Sequence, residues 1–387
     1  VETGRTSSIG HQIVGYDNQG EVMNYKSNKV FSWPEIVRRS SKVVSFFDLA
    51  GHEKYLKTTI LGFTSARPEM CFIMIGANRG ILKMTIEHIF LCKTLSIPFA
   101  IVITKLDLMK ERENVLSETF ENIQSFLKKP GLRRIPIKIK SNEDVIRCAM
   151  NIHSESIVPI FSVSNVSMQG VDFVHKFLNL IPPRQRNSQE KYVECHLDIA
   201  WLVTGVGTVV GGHLLSGSIK VGDKLFFGPN QNQYKLVTIR SIHCKKVPLQ
   251  KVCTPCYICV ALKGINKQDF KRGNVLLSAV SEQTLCSHLI VDVEILKTHS
   301  TTIKLGYQPI MHVQNLRTSV TIKKISNKIC GRLSDGQNDE ILRTGDSAQL
   351  YLELCFEKKF IKKNANILLC EGRTKVVGIV TEIFNLD

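Results

Sequence analysis

The sequence predicts an α/β domain on an open, mostly parallel sheet, followed by two small antiparallel β-barrels. Three observations predict it. Residues 1–183 alternate short apolar runs with amphipathic stretches, the pattern of βαβ units. Pro182 and Pro183, then a polar run to 190, interrupt that pattern, because two prolines cannot continue a helix. Beyond Tyr192, short β-branched segments alternate with Gly-rich turns, the texture of small antiparallel barrels.

In chain order, residues 43–47, 71–75, 99–104 and 157–163 are apolar runs of the kind that form strands covered on both faces. Residues 53–63, 84–96, 113–128 and 170–181 have the spacing of amphipathic helices. The domain they compose runs over 1–183, with 184–190 as a linker. A first barrel is expected over 191–287, with turns at Gly205, Gly207, Gly211–Gly212, Gly217, Gly222 and Gly228. A second is expected over 288–387, with turns at Gly306, Gly331, Gly336, Gly345 and Gly372. At 387 residues the chain is too long for one core and fits domains of about 100–200 residues.

Composition narrows the class. Apolar residues make up 43%, enough to exclude wholesale disorder. The formal charge of +17 points to a polyanionic partner, such as RNA or a ribosome surface. Pairs such as Lys128–Lys129, Arg133–Arg134, Lys323–Lys324 and Lys362–Lys363 supply cations for phosphates, and such binding weakens with salt. Twelve scattered cysteines in a chain of this length read as reduced thiols of a cytoplasmic protein. No window approaches an uninterrupted apolar span of ~18 residues, so no membrane partner is expected; nor is DNA, and the chain reads as a monomer.

Four loops carry the candidate chemistry. The run Asp48-Leu49-Ala50-Gly51-His52 follows a strand. An Asp there can reach Mg²⁺ through water, and a Gly lets its backbone N–H approach a γ-phosphate. A His next to it can orient an attacking water. Thr104-Lys105-Leu106-Asp107 ends a later strand. The carboxylate of Asp107 can accept from the N1–H and 2-amino group of guanine, a donor pair adenine lacks, while the stem of Lys105 lies across the ring. The loop Ser164-Asn165-Val166 opens the last helix and suits backbone N–H contact to the guanine O6. At the start of the chain, Ser8 is the candidate Mg²⁺ hydroxyl of a first switch, with Ser7 and Thr6 as rivals. Each loop alone is common; their order on a βαβ scaffold points to GTP and GDP with Mg²⁺.

No GxxxxGK[ST] run occurs in the 387 residues, and that loop would supply the phosphate cradle. Its place is upstream of Val1, so the chain reads as lacking its N-terminal part, and weak or no GTP binding is expected of it as it stands.

The runs Glu2–Gly10 and Asp48–Thr59 resemble the GTP-binding protein 1 / GTP-binding protein 2 family, relatives of elongation factor Tu. Gly205-Val206-Gly207-Thr208-Val209-Val210-Gly211-Gly212 is similar to a turn of translation-factor barrels, as Leu342–Asp346 and Glu371–Gly378 are to the closing barrel. The resemblance implies a P-loop-type GTPase domain with two β-barrel domains, acting at the ribosome with rRNA and possibly tRNA in delivery, rescue or mRNA surveillance. It implies Asp48 and Ser8 at Mg²⁺, Leu49, Ala50 and Gly51 at phosphate, and His52 at the attacking water. Thr104, Lys105, Leu106, Asp107, Ser164, Asn165 and Val166 fall at guanine. Ser8 stands where a Thr is usual, Ser7 replaces an apolar gate residue, and Thr104 replaces an Asn that braces the phosphate loop.

Two other readings stay open: a non-catalytic RNA- or ribosome-binding protein without a phosphate loop, and a small-molecule kinase on a similar sheet, which Asp107 and the barrels disfavour. Cys253, Cys256 and Cys259 have metal-like spacing near His243 and Cys244. The run continues into Val260-Ala261-Leu262, a strand pattern in which cysteines serve as core residues. Trp33-Pro34 lies in an insertion with no assigned function.

Overall fold

The computed structural model describes residues 9–24, 30–109, 113–183, 192–280, 285–296, 302–330, 340–371 and 373–386. The chain forms two compact units, one of Val1–Thr58 with Arg67–Gln185, the other of Thr59–Ala66 with Arg186–Asp387.

The first unit contains strands β1 (Gly10–Tyr16), β2 (Lys42–Asp48), β3 (Cys71–Gly76), β4 (Phe99–Thr104), β5 (Ile135–Lys138) and β6 (Ile157–Ser162). Its helices are α1 (Trp33–Arg39), α2 (Leu56–Ala66, whose last turns fall in the second unit), α3 (Lys83–Thr94), α4 (Glu113–Lys128), α5 (Asn142–Asn151) and α6 (Val171–Leu180). Strands β3, β4, β6 and β5 lie side by side in that order, all parallel. Strand β4 reads Phe-Ala-Ile-Val-Ile-Thr and is buried from Phe99 to Ile103, because a parallel strand covered on both faces has no polar side. Phe72, Phe161 and Phe177 meet in the core beneath it, the last two with centroids 5.1 Å apart.

Strand β2 departs from the expected pattern. It pairs antiparallel with β1, Gly10 opposite Asp48 and Tyr16 opposite Lys42, and is half-buried from Lys42 to Phe47. Among the described residues, β2 has no strand on its other side, and β3 is the outer strand of the parallel sheet. Met74 on β3 is accordingly 59% exposed. The insertion helix α1 follows Ser32, whose backbone N–H and hydroxyl both donate to Glu35 Oε2 at 2.8 and 2.7 Å, the carboxylate half of a capping box. Trp33 packs edge-on against His11, which stacks on Phe47, so this tryptophan anchors α1 to the ribbon.

The second unit contains two closed barrels. The first is built from β7 (Glu194–Val203), β8 (Gly207–Ser216), β9 (Ser218–Lys220), β10 (Lys224–Asn230), β11 (Gln233–Cys244), β12 (Val247–Leu249), β13 (Lys251–Cys253), β14 (Cys256–Lys263) and β15 (Val275–Leu277). The order β10-β15-β7-β8-β14-β11 closes through a β10–β11 pairing. Gly212 is required there: a Cβ would lie 2.1 Å from the His196 carbonyl oxygen on β7. The second barrel comprises β16 (His288–Ile295), β17 (Thr302–Lys304), β18 (Ile310–Val313), β19 (Leu316–Ile329), β20 (Ile341–Arg343), β21 (Ser347–Leu354), β22 (Asn366–Glu371) and β23 (Arg373–Phe384). Strands β16, β21, β19, β18, β22 and β23 close it. Its core follows the two-residue period of a strand: Leu289, Val291, Val293 and Ile295 face inward from β16, and Ala348, Leu350, Leu352 and Leu354 from β21. Among the described residues, no helix is long and apolar enough to cross a membrane.

The barrels share a buried polar junction. Glu194 and His196 on β7 are 2% and 3% exposed. Glu194 Oε1 meets His196 Nε2 at 2.7 Å, and Lys362 Nζ donates to Glu194 Oε2 at 2.6 Å. The Asn315 amide donates to the carbonyls of Leu197 and Asn274 at 2.9 and 3.0 Å, which turns its Oδ1 towards His196 Nδ1 at 3.2 Å. Both ring nitrogens of His196 thus face acceptors, the arrangement that suits an imidazolium.

Candidate nucleotide site

Two of the predicted loops come together because their strands are neighbours. Ile103 on β4 is in register with Ser162 on β6, so the segments after both strands leave the same edge of the sheet. Backbone bonds tie them: Val163 N–H donates to the Ile103 carbonyl at 2.8 Å, and Leu106 N–H to the Val163 carbonyl at 3.4 Å. Thr104 ends β4; its hydroxyl donates to the Ile75 carbonyl at 3.4 Å, and its carbonyl accepts from Ala77 N–H at 2.9 Å. Lys105 takes a left-handed conformation, φ 66°, and its side chain is exposed. The chain then winds into a short 3₁₀ turn, Leu106–Met109, that presents Asp107 half-buried.

Ser164 is fully buried. Its hydroxyl donates to Asp107 Oδ1 at 2.7 Å and accepts from Ser167 N–H at 3.3 Å. Its backbone N–H is engaged by the Gln169 carbonyl at 3.0 Å. Ser164 therefore orients the Asp107 carboxylate, a part the sequence reading missed. A serine at the first position of the loop after β6, with an Asp after the adjacent β4, is the signal that could have found it. Asn165 and Val166 are exposed beside it. Gly170 closes the loop with φ +73°, and a Cβ there would lie 2.2 Å from the Ser162 carbonyl oxygen; it is a second residue that the site needs.

The other loop follows β2. Asp48 ends the strand exposed, Leu49 is half-buried and Ala50 buried, and Gly51 and His52 are exposed. A Cβ placed on Gly51 would meet nothing within 4 Å, so space is open in front of this backbone. His52 caps the turn Glu53–Tyr55: its Nδ1 accepts from Lys54 N–H at 3.1 Å. An accepting Nδ1 puts the proton of the neutral ring on Nε2. Ser8, with its rivals Ser7 and Thr6, lies outside the described residues, as does the linker 184–190. Cys253 ends β13 exposed, while Cys256 and Cys259 lie half-buried on β14, Cys256 packed against the barrel core as the strand pattern suggested.

A sheet whose adjacent strands deliver a carboxylate–serine pair, joined to two six-stranded barrels, defines the class: the chain belongs to the elongation factor Tu-type GTP-binding protein family. The family described as "Elongation factor Tu GTP binding domain" matches residues 18–284. The chain is 37% identical over 386 residues to GTP-binding protein 1 of Xenopus laevis, covering 99% of this chain and 57% of the relative. It is 33% identical over 390 residues to GTP-binding protein 2 of Homo sapiens, covering 99% and 62%. The chain thus spans about three fifths of these relatives' length. The fold resembles that of translation elongation factor SelB of Methanococcus maripaludis in complex with the GTP analogue GppNHp. The TM-score is 0.70 at 18% identity, over 98% of this chain and 75% of that one.

Proposed function

We propose that the whole protein containing this chain is a translational GTPase, which binds GTP and hydrolyses its γ-phosphoryl bond in association with ribosomes or tRNA. The observation that carries the reading is the Ser164–Asp107 hydrogen bond on two loops at one sheet edge. A carboxylate held by Oδ1 keeps a fixed direction for accepting the N1–H and 2-amino donors of guanine. Lys105 covers the ring with its stem. With the Ser164 N–H already engaged, the contact to O6 passes to the exposed loop that follows, at Asn165 and Val166.

The phosphate end is assigned to Asp48, Leu49, Ala50 and Gly51, whose open backbone can approach a γ-phosphate. Among the described residues Asp48 suits Mg²⁺ through water, and Ser8 is proposed as the hydroxyl ligand. Bound Mg²⁺ supplies neutralisation of charge on the triphosphate. His52 presents its Nε2–H side to orient the attacking water, and positioning with charge stabilisation does most of the catalytic work. The net charge of +17 supports contact with RNA phosphates, and a cytoplasmic, monomeric protein is the corresponding setting. The domains are assigned to 1–183, 191–287 and 288–387.

Nucleotide competition on the full-length protein tests the assignment. Unlabelled GTP and GDP should displace a fluorescent guanine nucleotide while ATP does not, and Asp107→Ala should erase the difference. Displacement by ATP as readily as by GTP would refute it. The absence of GxxxxGK[ST] from these 387 residues favours a second reading for the chain alone, a ribosome- or RNA-binding module without nucleotide. Tight GTP binding by the 387-residue chain would exclude that one.

A further inference from the structure

The first barrel holds a thiol pair that nucleotide chemistry does not use. Cys244 ends β11 and Cys256 begins β14, 12 residues apart, with their sulfurs 2.8 Å from each other. The two strands pair antiparallel, His243 opposite Cys259 and Ile242 opposite Val260, which brings both thiols to neighbouring strands. Both are half-buried rather than sealed in the core. Next to Cys244, Lys245 and Lys246 form the turn into β12 with φ of 50° and 65°. Among the described residues, no group of three or more His, Cys, Asp or Glu is arranged to hold a metal. Two sulfurs in contact thus remain, about 0.8 Å from the S–S distance of a disulfide.

The electrostatics divide the roles. Hydrogen-bond donation from Cys256 outweighs burial and, with the Lys245 charge, holds the Cys244 thiol below its ordinary range. The same bond, then burial, holds Cys256 above it. The Lys245–Lys246 turn directly after Cys244 places the positive charge on its side of the pair, which favours Cys244 as the attacking thiolate and Cys256 as the thiol that resolves it.

We propose that Cys244 and Cys256 form a reversible dithiol–disulfide site that responds to hydrogen peroxide, with Cys244 as the attacking sulfur. The Cys244 thiolate attacks one peroxide oxygen, the O–O bond breaks, and hydroxide leaves a sulfenic acid on Cys244. The Cys256 sulfur then attacks the Cys244 sulfur, the S–O bond breaks, and the departing hydroxide takes the Cys256 proton. With the proton that Cys244 released earlier, the balance is two thiols and one peroxide to one disulfide and two waters. The product staples the end of β11 to the start of β14. The site lies outside the nucleotide loops and stands independently of the GTPase assignment.

Peptide mapping tests it. The reduced chain is exposed to peroxide, capped with iodoacetamide and digested with trypsin without reduction. Residues 241–245 should be linked to residues 252–263 through Cys244 and Cys256, and dithiothreitol should release them. In untreated protein at pH 7, Cys244 should alkylate faster than the exposed Cys253 and Cys330, and Cys256→Ala should slow it about tenfold by removing the donor. Cys256→Ser should abolish the bridge and leave a sulfenic acid that dimedone traps. The proposal fails if no bridge forms, if Cys244 bridges to Cys253 or Cys259 instead, or if Cys244 reacts no faster than Cys253. Should a variant fail to fold, the wild-type map decides alone.

Discussion

Ser164 and Asp107 are 57 residues apart in sequence yet share a 2.7 Å hydrogen bond. A hydrogen bond to a charged group contributes about 1.5–3 kcal/mol. In Ser164→Ala the carboxylate keeps its charge but loses its bearing. GTP affinity of the full-length protein should fall by about tenfold, with ATP affinity unchanged, as measured by fluorescent-nucleotide displacement. His52 has a different part in the proposed reaction. His52→Ala should leave GTP affinity within a factor of about two and cut hydrolysis by about 10²–10⁴-fold. Single-turnover rates with ribosomes present would show it, and a large loss of affinity would contradict the role.

At the scale of elements, the turn from β6 into α6 depends on Gly170. Its φ of +73° is a conformation that L side chains rarely adopt, and a Cβ would collide with the Ser162 carbonyl. Gly170→Ala should cost roughly 1–3 kcal/mol and displace the Ser164 loop, lowering both the urea midpoint and guanine selectivity. Selectivity kept at wild-type level would show that the loop is not held from this end. Helix α5 illustrates an element whose signals were present but unread. Ser141 and Asp144 cap it reciprocally, and Val145, Cys148, Ala149 and Ile152 recur at helical spacing on its buried face. The polar start of the segment, Ser-Asn-Glu-Asp, obscured that stripe.

At the scale of the molecule, the two barrels are joined by charge as well as by apolar packing. Burial alone would raise Glu194, but hydrogen bonds and charge from His196 and Lys362 hold it at about 2. A depressed carboxylate stabilises the fold above its ordinary pKa of 4.5 and loses that contribution as pH falls towards about 2. Glu194→Gln leaves the buried His196 without its carboxylate, while the half-exposed Lys362 can turn to solvent, and should cost about 3 kcal/mol at neutral pH, the low end for a broken buried pair. Urea midpoints of wild type and variant should converge as pH falls through that window; a constant gap would exclude the ionic explanation. Charge also governs the proposed RNA contact: log K should fall linearly with log salt, by about 0.7–0.9 per phosphate neutralised. A salt-insensitive ribosome interaction would rule out electrostatic binding.

The sequence by itself determined the class. Apolar runs at 71–75, 99–104 and 157–163 must be covered on both faces, so they form a parallel sheet; Gly-punctuated β-branched runs close into barrels. It also offered Asp107 and the loop of Ser164 as candidates, because chain order on βαβ units is a local property. Tertiary structure alone decided the partnerships. Strand β2 joined β1 antiparallel, Ser164 turned to Asp107 rather than outward, Cys244 met Cys256, and Glu194 was buried between two cations. Each depends on which strands become neighbours, and that is fixed by long-range pairing energy that no window of residues contains.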